Sequence, residues 1–238
     1  MELFKVELLK IKRMSVYQLA VLSPLLSIII GARSYGFMKT KVAKVNPWQV
    51  MDTIAPITFV GMLLPILIIY VTMTIGRMEN SNNGWKQLLA MPVKRSKVYL
   101  TKYFLVLSVI IVALIAYLIE YILGAYFLGA KGTIPIEVIV KMIYVFIAMQ
   151  PFTALLFLLS NKFNSVIIPL GAGIIIILSS LIIVQSSYWK YAPWTYSLSL
   201  SQGGFNIIQA LPILFISILI FALIFSLDII NFNKKDVI

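Results

Sequence analysis

The chain has 238 residues, 61% of them apolar, and a mean hydropathy of +0.99. Only 12% of its residues are charged, too few to cover a water-soluble domain of this length, so the chain belongs in a bilayer. It has no Cys and no His, which removes disulfides, thiolate chemistry, the commonest metal ligand and the usual general base.

Residues 1–13, MELFKVELLKIKR, place Leu3, Phe4, Leu8 and Ile11 at helical spacing, with Lys5, Lys10, Lys12 and Arg13 among the other positions. That pattern predicts a helix lying in the membrane interface. A signal peptide is the competing reading of a basic start before an apolar run, but no small-x-small cleavage site follows cleanly.

Crossing about 30 Å of hydrocarbon takes about 20 mostly apolar residues at about 1.5 Å each. Six windows qualify, near residues 16–32, 54–75, 104–123, 139–159, 166–184 and 207–227. The expected fold is therefore all-α, a single transmembrane domain over residues 1–238 with six membrane helices. With both termini on one side, that side receives thirteen of the twenty basic residues and the other side seven, with Arg33, Lys39, Lys41 and Lys44 crowding the first loop of the poorer side. Lys and Arg favour the cytoplasmic face, so both termini are expected inside. The net charge of +12 is then spent on lipid headgroups beside the spans, and nucleic acid is the weaker reading.

Catalytic signals are absent from the sequence. The eight acids are Glu2, Glu7, Asp52, Glu79, Glu120, Glu137, Asp228 and Asp236, and no spacing puts two of them on one helical face within a span. GARSYGFM, from Gly31, and GAYFLGAK, from Gly124, have two glycines at phosphate-loop spacing. Phe37 and Ala130 stand where the phosphate-binding lysine must follow, so neither is a nucleotide site. No catalytic, cofactor-binding or metal residue is expected in this chain.

Between the second and third windows lies ENSNNGWKQLLAMPVKRSKVYLTKY, Glu79 to Tyr103. Asn80 to Asn83 are capping residues, Trp85, Leu88 and Leu89 fall at i, i+3 and i+4, and Pro92 forces Met91 out of helical geometry. This predicts a helix of about two turns, too short to stand alone and so docked by its apolar stripe on headgroups or in a protein groove. Ser96 reads as the N-cap of the following helix.

This loop, with Glu79, Gly84-Trp85, Leu88-Leu89, Pro92-Val93, Arg95 and Tyr99 to Lys102, resembles the cytoplasmic loop of ABC-2 type transporter permeases. The resemblance implies that loop 76–103 carries a coupling helix seated in a separate ATP-binding subunit, with Glu79, Gly84, Trp85, Leu88, Leu89, Pro92 and Arg95 as its coupling residues. Asn82-Asn83 departs from the acidic residue and second glycine that many relatives carry near Gly84, leaving Glu79 as the acid. Size and loop together are similar to permeases of lantibiotic-immunity and bacitracin-type exporters, which implies a Gram-positive cell membrane and an amphiphilic antimicrobial peptide as cargo. The same resemblance implies two ATP-binding subunits holding ATP and Mg, and a second permease, identical or homologous. A membrane sensor or scaffold and a membrane-embedded enzyme are the contrasting classes.

The segment 185–206, QSSYWKYAPWTYSLSLSQGGFN, packs Tyr188, Trp189, Tyr191, Trp194 and Tyr196 with Lys190 before the last window. Amphipathic rings suit a membrane boundary, and Pro193, Gly203 and Gly204 suit a partly re-entrant outer segment, with Trp189 and Trp194 as candidate substrate-path residues. Glu120, near the outer edge of the third window and flanked by Tyr117 and Tyr121, is expected to bind a cationic substrate, to snorkel, or to pair with Lys141 or Lys131. Gln150, beside the helix-breaking Pro151, is expected to face the bundle at a kink in the fourth window.

Overall fold

The computed structural model describes residues 4, 7–9, 15–41, 45–80, 94–163 and 165–234. Regular structure among them is helical: α1 (Val16–Lys41), α2 (Pro47–Thr58), a π segment (Phe59–Leu63), α3 (Leu64–Asn80), α4 (Arg95–Phe127), α5 (Ile136–Ala148), α6 (Gln150–Lys162), α7 (Ile167–Ile183), two 3₁₀ turns (Ser187–Tyr191, Pro193–Thr195), α8 (Tyr196–Gln202) and α9 (Ile207–Lys234). Among the described residues, five stretches are long and apolar enough to cross a membrane: Val16–Lys41, Pro47–Met78, Arg95–Phe127, Ile136–Lys162 and Ile207–Phe232. The remaining window is the shorter Ile167–Ile183, because the chain beyond it turns into 3₁₀ structure.

Boundaries differ from the sequence expectation where polar residues continue a helix. Arg33, Lys39 and Lys41, expected in a loop, form the last turns of α1, where cations complement the helix dipole. The second stretch starts earlier because Asn46 caps it: its side-chain oxygen accepts from Trp48 N at 3.1 Å, with Pro47 at the first helical position. At the other end of α4, Gly129 takes a φ of 85° and Ala130 N donates to Ala125 O at 3.0 Å. Gly129, one of the two glycines at phosphate-loop spacing, thus serves as a helix terminator.

The expected kink is present. A turn at Met149 separates α5 from α6, since Pro151 has no N–H to continue the ladder. Gln150 is buried there, donating Nε2 to Phe146 O at 2.8 Å and accepting from Tyr103 OH at 3.0 Å. The π segment between Pro56 and Pro65 is a second irregularity, and the sequence pattern did not announce it.

Packing joins α1 to α2 and α4, α3 to α6 and α7, and α6 to α9, while α8 lies buried against α5, α2 and the π segment. Small residues set the close approaches. A Cβ on Gly124 would meet Ile28 Cγ2 at 2.7 Å, and one on Gly61 would meet Leu181 and Leu198 at 3.1 and 3.3 Å. In α7, Gly173 packs against Ile69 whereas Gly171 faces open space, so close packing explains the first glycine only. Many large apolar side chains on the long helices are exposed, including Ile115, Ile119 and Leu123 of α4 and Phe215, Leu219 and Leu223 of α9, as lipid contact requires.

Gly76 is the tightest of these contacts. An added Cβ would run into Ser160 Oγ and lie 2.9 Å from Ser160 O, while Ser160 Oγ already donates to Thr72 O at 2.7 Å. Because a backbone oxygen is involved, rotating the serine does not relieve the clash. Gly76→Ala is therefore expected to cost about 1–3 kcal/mol, the usual range for overpacking. A lowered melting temperature in detergent that Ser160→Ala fails to restore is the outcome that checks this.

Candidate functional site at the ends of the fourth helix

The first turns of α4 follow directly on residues 81–93, and they carry the most buried charge in the described structure. The helix opens at Arg95 with Lys94 at the cap position, so Ser96 lies one residue inside rather than serving as the N-cap. Two turns on, Lys102 Nζ donates to Glu7 Oε2 at 3.1 Å, with side chains only 1% and 6% exposed. Tyr99, on the adjoining face, donates its OH to Asp228 Oδ2 of α9 at 2.8 Å, and Asn161 Nδ2 of α6 approaches the same oxygen at 3.4 Å. Around these bonds Tyr99 and Tyr103 pack edge-on against Phe157 of α6 and Phe225 of α9, at 4.9–5.4 Å between ring centroids.

Taking charges out of water is costly, and their attraction offsets that cost only when partners and geometry are good. Here each buried charge is answered from a different part of the chain. The start of α4 is thereby tied to the N-terminal segment, to α6 and to α9. Sequence reading named Tyr99 to Lys102 in the loop motif but missed Glu7 and Asp228 as their partners, although Asp228 within the apolar run SLDIINF is the kind of intramembrane acid that marks such a site.

Of the residues expected to couple to an ATPase, Gly84, Trp85, Leu88, Leu89 and Pro92 lie outside the described residues. Glu79 falls in the last turn of α3, and Arg95 opens α4. Helical structure at Phe4 and Glu7 to Leu9 falls within the expected interfacial helix, whose other residues lie outside the described set.

At the opposite end of α4, Glu120 forms an ion pair with neither of its expected partners. Lys141 donates to Asp52 Oδ2 at 2.6 Å, and Lys131 offers its backbone carbonyl to Trp48 Nε1 at 3.4 Å. Glu120 Oε2 is buried without a hydrogen-bond partner. The remaining candidates lie apart, each with its own surroundings. Gln150 faces Tyr103 across the α5–α6 break, Trp189 packs edge-on against Tyr196 and Phe205, and half-exposed Trp194 borders a small cavity with Met149, Phe152, Ser180 and Leu198.

A family model described as ABC-2 family transporter protein matches residues 3–180. The chain belongs to that family. No curated protein and no solved structure matches it. Membership makes the helical bundle a permease of an ABC transporter, the non-catalytic membrane component that associates with ABC ATP-binding subunits. The tie at the start of α4 stands directly after residues 81–93.

Lys102→Met tests that tie, since it removes the ammonium that answers the buried Glu7 carboxylate. A loss of about 3–5 kcal/mol is expected. Melting of the detergent-solubilised permease should show it, and the double substitution Lys102→Met, Glu7→Gln should recover much of the loss by removing both charges together. Equal instability of the single and double variants would contradict a paired role.

Proposed function

We propose that this permease is the membrane subunit of an ATP-driven exporter that expels an amphiphilic peptide, such as a lantibiotic or another antimicrobial, in self-immunity or resistance. The observation carrying the mechanical part is the anchoring of the first turns of α4 to three other parts of the chain through Lys102–Glu7 and Tyr99–Asp228. A displacement delivered at loop 76–103 moves these parts as a body rather than bending one helix. Two ATP-binding subunits, holding ATP and Mg, supply the displacement, and a second permease, identical or homologous, supplies the other half of the path.

The orientation has both termini in the cytoplasm of a Gram-positive cell membrane, supported by the basic-residue asymmetry. Helix α7 counts as the sixth span in this reading: its 17 residues reach about 25 Å, at the short end of the spanning range. Segment 185–206 then re-enters from the outside, which the burial of α8 among α2, α5 and the π segment supports. Trp189 and Trp194 lie on the rim of that segment, where an amphiphile leaving the outer leaflet passes. The lantibiotic and bacitracin-type likeness rests on the loop and on chain size.

Trp85 is the residue on which ATPase docking turns, because Trp is enriched among the side chains that dominate such contacts. Trp85→Ala is expected to cost on the order of 2 kcal/mol, about a thirtyfold loss of affinity. Membrane abundance should hold, since residue 85 lies outside every apolar window, while the co-purified ATP-binding subunit falls. Unchanged ATPase recovery for Trp85→Ala and for the double substitution Leu88→Asp, Leu89→Asp would sink the coupling-helix assignment.

A further inference from the structure

Beside the Lys102–Glu7 tie, a groove of about 960 Å³ runs between the N-terminal segment and α4. Leu8 and Leu9 form one wall, and Phe104, Leu107 and Ile111 the other. The ion pair sets the first wall in place, because Glu7, bonded to Lys102, immediately precedes the two leucines. Leu9, Phe104 and Ile111 are exposed, so the groove opens away from the bundle.

Two hydroxyls border the groove, and both are committed elsewhere. Thr101 Oγ1 donates to Lys97 O at 2.8 Å, while Ser108 Oγ lies 2.7 Å from Leu105 O and 2.8 Å from Tyr17 OH. The walls therefore suit methylene groups and offer a polar ligand little.

The length of the groove decides between occupants. From Thr101 to Ile111, α4 rises about 15 Å, half of the roughly 30 Å of hydrocarbon that a partner's membrane helix must cross. That reach matches an acyl chain of one leaflet. At roughly 30 Å³ per methylene, about the share of one liquid water, a chain of about 16 carbons fills half of the groove, and a two-chain lipid fills it.

Charge selects the head. Exposed Lys97 lies one turn before Thr101 on the same face of α4, and exposed Lys94 caps the helix just beyond it. In sequence, residues 1–13 carry four basic residues against two acidic ones, so the segment that supplies the other wall is also net positive. The Glu7 carboxylate is answered by Lys102 and does not oppose an anion. Lysines at the end of an apolar groove favour an anionic headgroup over a neutral one.

We propose that this groove holds an anionic phospholipid, with its phosphate at Lys94 and Lys97 and its acyl chains between Leu8–Leu9 and the Phe104–Ile111 face of α4. The lipid joins the N-terminal segment to α4 alongside the Lys102–Glu7 pair. It occupies the groove whatever the permease exports.

The test takes the full-length permease in detergent and counts retained lipid by native mass spectrometry as dipalmitoyl phosphatidylglycerol or dipalmitoyl phosphatidylcholine is added. Two lysines near the phosphate should favour phosphatidylglycerol about tenfold. Dihexanoyl phosphatidylglycerol, with the same head and short chains, should be retained poorly. Lys94→Gln combined with Lys97→Gln changes two exposed side chains and should bring phosphatidylglycerol down to the level of phosphatidylcholine. Ile111→Trp adds bulk to the groove at an exposed position, and should weaken retention of both long-chain lipids at an unchanged unliganded melting temperature. Equal retention of the two long-chain lipids by the unmodified permease overturns the proposal, as does undiminished phosphatidylglycerol retention in either variant. If Ile111→Trp instead dissociates a permease dimer and leaves lipid retention unchanged, the groove seats protein and the lipid site is refuted.

Discussion

Hydrocarbon offers no partner to a polar group, so a charge can enter this bundle only where another helix or a ligand answers it. The described ion pairs obey that constraint and lie near opposite ends. Lys102–Glu7 joins α4 to the N-terminal segment, and Asp52–Lys141 joins α2 to α5. Each crosses between elements rather than running along one helix. Each therefore fixes where one part of the chain stands against another, which general apolar packing does less specifically.

Between these ends the backbone is least regular. The π segment 59–63 sits between two prolines, α5 and α6 part at Met149, and α8 covers both places: Leu198 lies over Gly61, while Trp194 and Leu198 share a small cavity with Met149 and Phe152. Irregular backbone at this depth is tolerated because protein covers it. A break in the hydrogen-bond ladder is also where a long helix bends at least cost. The two ends, fixed by charge, are thus separated by a layer in which two of the long stretches already bend.

Much of the scaffold was readable from local pattern. Apolar windows located the helices, Pro151 located the α5–α6 break, and Gln150 beside it faces the bundle as expected. The errors have one physical origin, since ends and partners depend on residues far away in sequence. Basic residues at the end of α1 looked like loop but suit a helix terminus, and Lys141 looked free for Glu120 but pairs with Asp52, 89 positions away. Glu7 and Lys102 are 95 positions apart, and each alone reads as an ordinary flanking charge. A π segment has no composition of its own, so no pattern in the sequence marked residues 59–63.

Helix α4 is the one element that takes part at both ends. Its 33 residues extend about 50 Å, and no proline interrupts them. Near its start, Tyr99, Lys102 and Tyr103 bind the N-terminal segment, α6 and α9; near its other end, Tyr117 stacks on Phe59 of the π segment while Tyr121 holds the start of α2. A straight helix gripped at two levels transmits a push or tilt along its length with little loss, because compressing it would break many backbone hydrogen bonds together. A displacement of the first turns of α4 is therefore felt at the level of Tyr117 and Tyr121, where the helix meets the π segment and the start of α2. The Asp52–Lys141 pair, which joins α2 to α5, responds steeply to a shift between those helices, since separating an ion pair in a low-dielectric interior changes its energy far more than sliding apolar surfaces past one another. The longest regular helix thus connects the loop end of the permease to the layer where its polar groups are least satisfied.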